Sequence, residues 1–381
     1  MPKDLMAAIE PFEISVPEDD LADLKERLAR TRWPEREVVA DWSQGLPLAY
    51  AQELCRYWAE SYDWRHWEAK LNGWGSSRTV IDGLGVHFLH VRSPHPGALP
   101  LVVTHGWPGS VAEFAKVIGP LTDPPAHGGD AADAFHLVCP SLPGYGFSDK
   151  PTEPGWGTGR IGAAWAALME RLGYERFGAQ GGDWGAMVTT AVGEHAKERV
   201  VGLHVNMAIA FPSSMDDLSE QEHDALAAMQ HYDRWDSGYS KEQSTRPQTV
   251  GYGLVDSPAG QAAWIVEKFW SWMDCAGHPE NVVTKDELLD NVSMYWHTAS
   301  GASSARLYWE SFNSPSLDPV KVPSGVTRFP KEIFRPSRRW VEQRFTDLRY
   351  WGEAEKGGHF PAFEQPEIYV DEIRNFFRLV R

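Results

Sequence analysis

Gly181-Gly182-Asp183-Trp184-Gly185 sits between a short strand-like run, Arg176-Phe-Gly-Ala-Gln180, and a helical pattern that begins at Trp184. A turn of the form Gly-x-nucleophile-x-Gly at such a junction is too sharp to admit side chains on its flanks, and it lifts its central residue above a sheet at a helix N-terminus. The same residues also read as an aspartate capping a helix after a glycine turn. The neighbouring sequence places the turn in a wound sheet. Leu99-Pro-Leu-Val-Val-Thr104, Phe135-His-Leu-Val-Cys139 and Val200-Val-Gly-Leu-His-Val205 are short apolar runs of the buried-strand kind. A helical pattern from about Arg160 to Leu172 ends at Gly173, a residue suited to the turn past a helix. Strand-like pattern returns at Gly325–Phe329 and Leu348–Trp351, and a last helix runs from about Pro366 to Leu379. This alternation predicts an α/β chain with a mostly parallel sheet covered by helices on both faces.

Outside that region the rhythm changes. To about Ser77 the chain reads as helical: Pro17-Glu-Asp-Asp20 starts a helix through Leu21, Leu24, Leu28 and Ala29 with Asp20 as its cap, and Tyr50 to Leu71 is a second helix. Thr79 to Val91 reads as two strands joined at Asp82-Gly83, a strong hairpin signal. From about Phe211 to Lys321 the pattern is helical and aromatic, with Trp264, Phe269, Trp272, Tyr295 and Tyr308 among its residues. A helical insertion between two halves of a parallel sheet is a natural lid. The expected organisation is therefore an N-terminal region over 1–85, a first half of the core over 86–211, a helical lid over 212–321 and a second half of the core over 322–381.

The 381 residues carry 36 Lys+Arg against 53 Asp+Glu, a net charge of −17, and 42% are apolar. That composition is globular rather than disordered, and its acidity disfavours nucleic acid and anionic membrane surfaces as partners. Cys55, Cys139 and Cys275 are far apart and odd in number, which argues against a disulfide framework and for a reducing compartment. No run approaches the ~18 apolar residues of a membrane span, and Met1 to Asp20 lacks the basic start and apolar run of a signal peptide. The expected location is cytoplasmic, with no membrane anchor. The 18 tryptophans fit either an aromatic-rich core or an aromatic-lined cavity, and an exposed part of a Trp-rich surface leaves a homodimer open.

Three features bear on the chemistry of Asp183. His105-Gly106-Trp107-Pro108-Gly109 follows a strand-like run directly; in α/β-hydrolase folds that loop supplies one oxyanion-hole N–H and the residue after the nucleophile supplies the other, here Trp107 and Trp184. The pentapeptide also suits a plain strand-to-helix turn. Gly357-Gly358-His359-Phe360 follows the last strand-like run and gives a histidine in the expected order of nucleophile, acid, base. Glu332 lies after the preceding strand, where a carboxylate would orient that imidazole, with Asp347 as its nearest competitor. An aspartate at the elbow changes the reaction. A serine there attacks carbonyl carbons; a carboxylate suits displacement at a strained or activated sp³ carbon, leaving an alkyl ester of itself.

Taken together, these residues resemble the microsomal-type and juvenile-hormone-type epoxide hydrolases over almost the whole chain. The likeness runs through Trp67, Leu71-Asn72, Ile81-Asp-Gly-Leu84 and His87-Phe-Leu-His-Val-Arg92. It continues through His105-Gly-Trp-Pro-Gly-Ser110, Pro140-Ser-Leu-Pro-Gly-Tyr-Gly-Phe-Ser148, the Gly181–Gly185 elbow and Gly357-Gly-His-Phe-Pro-Ala-Phe-Glu364. The resemblance implies an α/β-hydrolase fold with Asp183 as nucleophile, His359 as base and Glu332 as the charge-relay carboxylate. It also implies two lid tyrosines on the epoxide oxygen, at Tyr239 and Tyr308, a small-molecule epoxide and water as reactants, and no cofactor or metal. Microsomal relatives often carry an N-terminal anchor; this chain resembles a soluble bacterial-style member. The aromatic lid points to a bulky or aryl epoxide.

Rival readings use the same residues. A haloalkane or haloacid dehalogenase shares the Asp–His logic but needs halide donors in place of two phenols. An esterase lacks its Ser or Cys, and a non-catalytic member of the fold would bind an apolar ligand without turnover. Gly157-Thr-Gly-Arg-Ile-Gly162 matches a dinucleotide-binding pattern without a preceding strand, so it reads as helix-start packing. The Asn291-Val-Ser293 sequon carries little meaning in a cytosolic chain, and Arg335-Pro-Ser-Arg-Arg339 reads as a solvated face.

Overall fold

The computed structural model describes residues 8–312 and 317–381. Its sheet contains β1 (Glu10–Pro11), β2 (Ser76–Ile81), β3 (Leu84–Val91), β4 (Leu99–Thr104), β5 (Phe135–Pro140), β6 (Phe177–Gly181), β7 (Val200–Val205), β8 (Ser324–Arg328) and β9 (Leu348–Glu353). The spatial order of these nine strands is β1-β2-β3-β5-β4-β6-β7-β8-β9. Pairing is antiparallel from β1 to β5 and parallel from β5 onward. This is the α/β-hydrolase fold. Along β4 the side chains alternate between two cores: Val102 joins one cluster, while Leu101 and Val103 join the other. Burial on both faces explains why these strands read as continuous apolar runs.

The strand order places the site. The chain runs from β4 out to β5 and back to β6 on the other side of β4, so the carboxyl ends of β4 and β6 are neighbours at a topological switch, the usual ligand crevice of an open α/β sheet. Thr104 and Gly181 are paired in register, and the loops that leave them start side by side. Helix Trp184–His195 returns from the elbow and packs on helix Thr158–Arg171. A Cβ on Gly162 would come 2.5 Å from Ala191 Cβ, so the Gly157–Gly162 run is a close helix contact.

Between β7 and β8 a run of helices, from Glu220–His231 to Gly301–Phe312, crosses above those loops. The N-terminal region grips this insert. Tyr57 and Tyr62 donate hydrogen bonds to Asp286 and Asp290, each 2.8 Å, and Trp58 Nε1 donates to Ser293 at 3.0 Å, all on helix Lys285–His297. The same helix holds the loop after β4 through its other face. Asn291 Nδ2 donates to the Pro108 carbonyl at 2.8 Å, Ser110 Oγ donates to Asn291 Oδ1 at 2.7 Å, and Tyr295 OH donates to the Gly109 carbonyl at 2.7 Å. Asn291 is therefore a buried fastener and no glycosylation site.

Several expectations need correction. The first 77 residues are not all helical: Glu10–Pro11 pairs with Arg78 and Ser77 as an edge strand. Helix Glu18–Ala29 starts after Pro17, which puts Asp20 inside the first turn, where its charge favours the helix dipole but its side chain caps nothing. The Tyr50–Leu71 reading is two helices, Leu48–Glu60 and Trp64–Gly73, because Asp63 accepts from the Arg65 N–H and starts the second one. The Arg335–Arg339 stretch is exposed at Arg338 and Arg339, as a solvated face would be, but two of its arginines are also tied into the fold. Arg335 donates to the Pro330 and Glu332 carbonyls, and Arg339 pairs with the buried carboxylate of Glu222. Half of the tryptophans are buried; Trp58, Trp67, Trp165 and Trp340 are almost fully so, whereas Trp235 and Trp309 are exposed.

Candidate active site

Asp183 has φ 50°, a left-handed conformation that costs a non-glycine residue of order 1–3 kcal/mol. The glycines around it show why the turn takes this shape. A Cβ on Gly181 or Gly185 would strike the backbone of Gly185 or Thr104, one on Gly182 would meet Asn206, and one on Gly106 would strike the Asp183 side chain. The backbone is packed so tightly here that the two positions before Asp183 and the one after Trp184 admit no side chain. Trp184 opens the helix, so its N–H is among those left without an intrahelical partner.

The carboxylate of Asp183 meets two groups. The Trp107 N–H donates to Oδ1 at 2.8 Å. His359 Nε2 lies 3.2 Å from Oδ2 at an angle that makes no hydrogen bond. The other imidazole nitrogen, Nδ1, is 2.6 Å from Glu332 Oε1, which also accepts from the Ile333 N–H at 2.7 Å. Burial opposes the charged imidazole, but the Glu332 carboxylate and the neighbouring Asp183 outweigh it, and the His359 pKa stands well above the usual histidine value. Asp347, the competing carboxylate, pairs with Arg349 at 2.9 Å near the surface.

The turn carrying Glu332 and the loop carrying His359 are joined by a hydrogen bond from Lys331 N–H to the Gly357 carbonyl, 3.0 Å. Glu364 then fastens the histidine loop to the insert. It accepts from the Asp274 N–H at 2.7 Å and from the Phe360 N–H at 3.1 Å, while His359 N–H donates to the Trp272 carbonyl at 2.9 Å. Burial raises the Glu364 pKa to about 7. The role of Glu364 was not legible beforehand; a signal existed in its place four residues after Phe360, at the end of the short helix Pro361–Glu364.

Tyr239, on helix Gly238–Thr245, and Tyr308, on helix Gly301–Phe312, come together with Asp183 around one cavity of about 410 Å³. Their rings are 5.7 Å apart, edge to face; Trp107 stacks on Tyr239 at 4.8 Å and Trp184 meets Tyr308 edge-on at 4.8 Å. Tyr239 OH is 2.9 Å from Tyr232 OH, on a π-helical turn at Tyr232–Asp236, whereas Tyr308 OH is buried with no hydrogen-bond partner among the described residues. Burial holds both phenols well above the usual tyrosine pKa, so they are neutral donors. Lys268, paired with Asp236 at 2.6 Å, lies 4.9 Å from the Tyr239 ring centre, and Asp236 also accepts from Trp272 Nε1 at 2.6 Å. Sequence reading missed this group, because a buried lysine looks like any helical lysine until its partner is placed.

The remaining cavity wall is mainly apolar, with Met187, Met207, Ile209, Phe312 and Phe334 among its residues and Asp233, Ser237 and Lys241 as polar ones. Larger clefts of about 690 and 850 Å³ open elsewhere on the surface and include none of the groups above. Among the described residues no cluster of His, Cys, Asp and Glu could hold a metal ion, and no helix is long and apolar enough to cross a membrane.

Comparison with known proteins adds an independent finding. The family described as epoxide hydrolase N terminus matches residues 9–114, and the family described as alpha/beta hydrolase fold matches residues 100–248. A protein of Stigmatella aurantiaca is 56% identical over 379 residues, covering 98% of this chain and 86% of its own length. Epoxide hydrolase 1 of Sus scrofa is 34% identical, covering 98% of this chain and 89% of its own. Among solved structures, juvenile hormone epoxide hydrolase from the silkworm Bombyx mori superposes with a TM-score of 0.90 at 33% identity, covering 98% of this chain and 96% of that one. Aspergillus niger epoxide hydrolase superposes with a TM-score of 0.88 at 30% identity, covering 100% and 98%.

Proposed function

The chain belongs to the epoxide hydrolase family, and from that premise we propose that it opens its epoxide through a covalent ester on Asp183. It is an epoxide hydrolase, adding water to an epoxide. The observation that carries the mechanism is the meeting of two buried phenols and an elbow carboxylate at one cavity, with a His–Glu pair reaching the same carboxylate, 3.2 Å from its Oδ2.

Asp183 Oδ1 is held by the Trp107 N–H, which leaves Oδ2 to attack a ring carbon from behind. The C–O bond breaks, and the ring oxygen takes a proton from one of the two phenols facing the cavity. Donors placed where charge develops in a dry site lower the barrier. The resulting phenolate regains its proton from the His359 imidazolium. Esterification removes the Asp183 charge, one of the causes that keep His359 protonated, so the imidazole becomes available as a base only once there is an ester to hydrolyse. Water then adds to Asp183 Cγ and gives its proton to His359, while Oδ1 takes the charge at the Trp107 N–H and the orphan N–H of Trp184. Collapse expels the diol oxygen, which leaves with the hydroxyl proton of the tetrahedral adduct, and Asp183 is again a carboxylate beside an imidazolium.

The helices from 220 to 312 act in this reading as a lid that brings the phenols. The cavity, about 410 Å³ and apolar-walled, lies within the range of small-molecule sites and suits a bulky or aryl-substituted epoxide. The test is diol formation from aryl and alkyl epoxides by native protein and Asp183→Ala. Diol from native protein and none from the variant is the expected result; equal rates would remove Asp183 as nucleophile, and faster turnover of small aliphatic epoxides would overturn the substrate class.

A further inference from the structure

A second, enclosed cavity touches Asp183. It is lined by Glu113, Asn206, His359, Tyr369 and the backbone around Gly106 and Gly182, with Phe114, Phe360, Pro361 and Ala362 completing the wall, and among the described residues it shares Asp183 alone with the substrate cavity. Its volume of about 10 Å³ is room for about one water. We propose that this cavity seats the hydrolytic water and that Glu113 positions it, so that epoxide and water approach Asp183 from separate compartments. The inference rests on the covalent mechanism above and names the residues that serve its second step.

The polar walls match what a single water needs. His359 Nε2 and Asn206 Nδ2 are both buried and without a hydrogen-bond partner among the described residues. Asn206 is fixed because its Oδ1 accepts from Gln180 Nε2 at 3.0 Å, and Gln180 Oε1 in turn accepts from Tyr369 OH at 2.5 Å. Glu113 sits on the short turn Val111–Phe114, with its carboxyl so close over Gly109 that a Cβ there would strike Oε1. It lies deep in the protein yet keeps some accessible surface, as expected of a group lining an internal cavity. Burial raises its pKa to about 8, so near neutrality the acid form, able to donate and accept, predominates. Three polar partners fall in the usual range for a buried water.

The step balances with these groups. The water oxygen bonds to Asp183 Cγ, the C=O electrons move to Oδ1, and the departing proton goes to His359 Nε2. Glu113 and Asn206 hold the water and exchange no net proton. No substrate atom need leave the large cavity for water to arrive, which accounts for a second, smaller cavity on the other side of Asp183 where Glu113, Asn206 and His359 converge.

Single-turnover kinetics with excess enzyme, on an epoxide that the native protein hydrolyses, separate the two steps. Tryptophan fluorescence follows the rates and intact-protein mass detects the ester. Glu113→Leu, which fills the cavity, is expected to leave alkylation within about threefold and slow hydrolysis by about 100-fold, with accumulated ester. Glu113→Gln keeps a polar wall and is expected to slow hydrolysis by less than about tenfold. Asn206→Ala carries the test should the leucine variant not fold, with hydrolysis slowed by about tenfold and alkylation unchanged. Hydrolysis within threefold of native in Glu113→Leu and Asn206→Ala overturns the proposal, and so does an equal loss in both steps, which would make Glu113 a support for the elbow. His359→Gln is the reference: an ester there but not in the Glu113 variants refutes the water site alone, while no ester in any variant refutes the covalent mechanism and the water site with it.

Discussion

Tyr308→Phe should make the protein more stable and the enzyme far slower. The Tyr308 hydroxyl is buried and has no hydrogen-bond partner among the described residues. A buried unsatisfied group of this kind costs about 1–3 kcal/mol, and phenylalanine removes it without changing the ring that packs on Trp107 and Trp184. For a chain of this length that gain corresponds to a rise in Tm of about 1–4 °C. The same hydroxyl is assigned to the epoxide oxygen, and losing one preorganised donor at a developing oxyanion costs about 2.7–4 kcal/mol, a fall of about 10²–10³ in the alkylation rate. Tyr239→Phe is the control. Its hydroxyl lies 2.9 Å from Tyr232 OH, so its loss removes a made hydrogen bond and should cost about 0.5–1.5 kcal/mol while slowing alkylation to a similar degree. Thermal unfolding and single-turnover fluorescence on both variants give the comparison. A lower Tm for Tyr308→Phe than for native protein, or alkylation within threefold of native, would refute the reasoning.

Asn291→Ala removes the fastener between the insert and the Pro108–Ser110 loop and should cost about 2–3 kcal/mol in urea unfolding, since two buried hydrogen bonds lose their partner. Glu364→Gln keeps one acceptor oxygen for two N–H donors, so about 1–3 kcal/mol of stability should be lost, read in the same way. Asp290, beside Tyr62, has a pKa raised by burial to about 7. A carboxyl whose folded pKa is raised loses stability as pH climbs from its unfolded value near 4 to about 7, so Asp290→Asn should be neutral at pH 4 and stabilising by on the order of 2 kcal/mol at pH 8. His359 titrates with the opposite sign: its raised pKa gives stability that is complete below about pH 6.5 and lost as pH rises through the folded value, and Glu332→Gln should abolish most of that dependence.

The parallel half of the fold was legible where its strands are buried on both faces and mostly apolar, as in Leu99–Thr104, where prediction and structure share both ends; the edge strand Leu348–Glu353 is half-exposed and carries a weaker signal. The hairpin at Asp82-Gly83 was legible for a different reason: both residues have positive φ, which that pair tolerates and few others do. The N-terminal region was harder. Glu10–Pro11 has no strand pattern, and it joins the sheet only because β2 offers an unpaired edge. The break between helices at Ser61–Asp63 depends on one cap that the aromatic periodicity through Tyr62 and Trp64 conceals. Tyr239 and Tyr308 came from family likeness, since nothing local separates them from the other tyrosines. Their placement beside Asp183 depends on contacts across more than a hundred residues, such as Trp107 on Tyr308. Glu113 and Asn206 were invisible for the same reason.

These contacts also explain why the elbow aspartate needs so much scaffolding. The N-terminal helices hold Lys285–His297, that helix holds the Pro108–Ser110 loop, and the loop presents the Trp107 N–H to Oδ1. Trp107 also stacks on Tyr239, so one residue couples the position of Asp183, the proposed nucleophile, to that of the phenol proposed to face it. On the other side Glu364 ties the His359 loop to Asp274, at the end of the helix whose Lys268 lies over Tyr239. Displacement at carbon demands the carboxylate and the phenols on opposite ends of the breaking bond, and hydrolysis demands a base and water at the carboxyl carbon. A serine elbow can take its acceptor and its base from the core alone. In the proposed mechanism two of the reacting groups, Tyr239 and Tyr308, stand on the insert, and the described hydrogen bonds run through the insert and back into the loops that carry Trp107 and His359. Loosening any one of those links should therefore impair alkylation before it impairs folding.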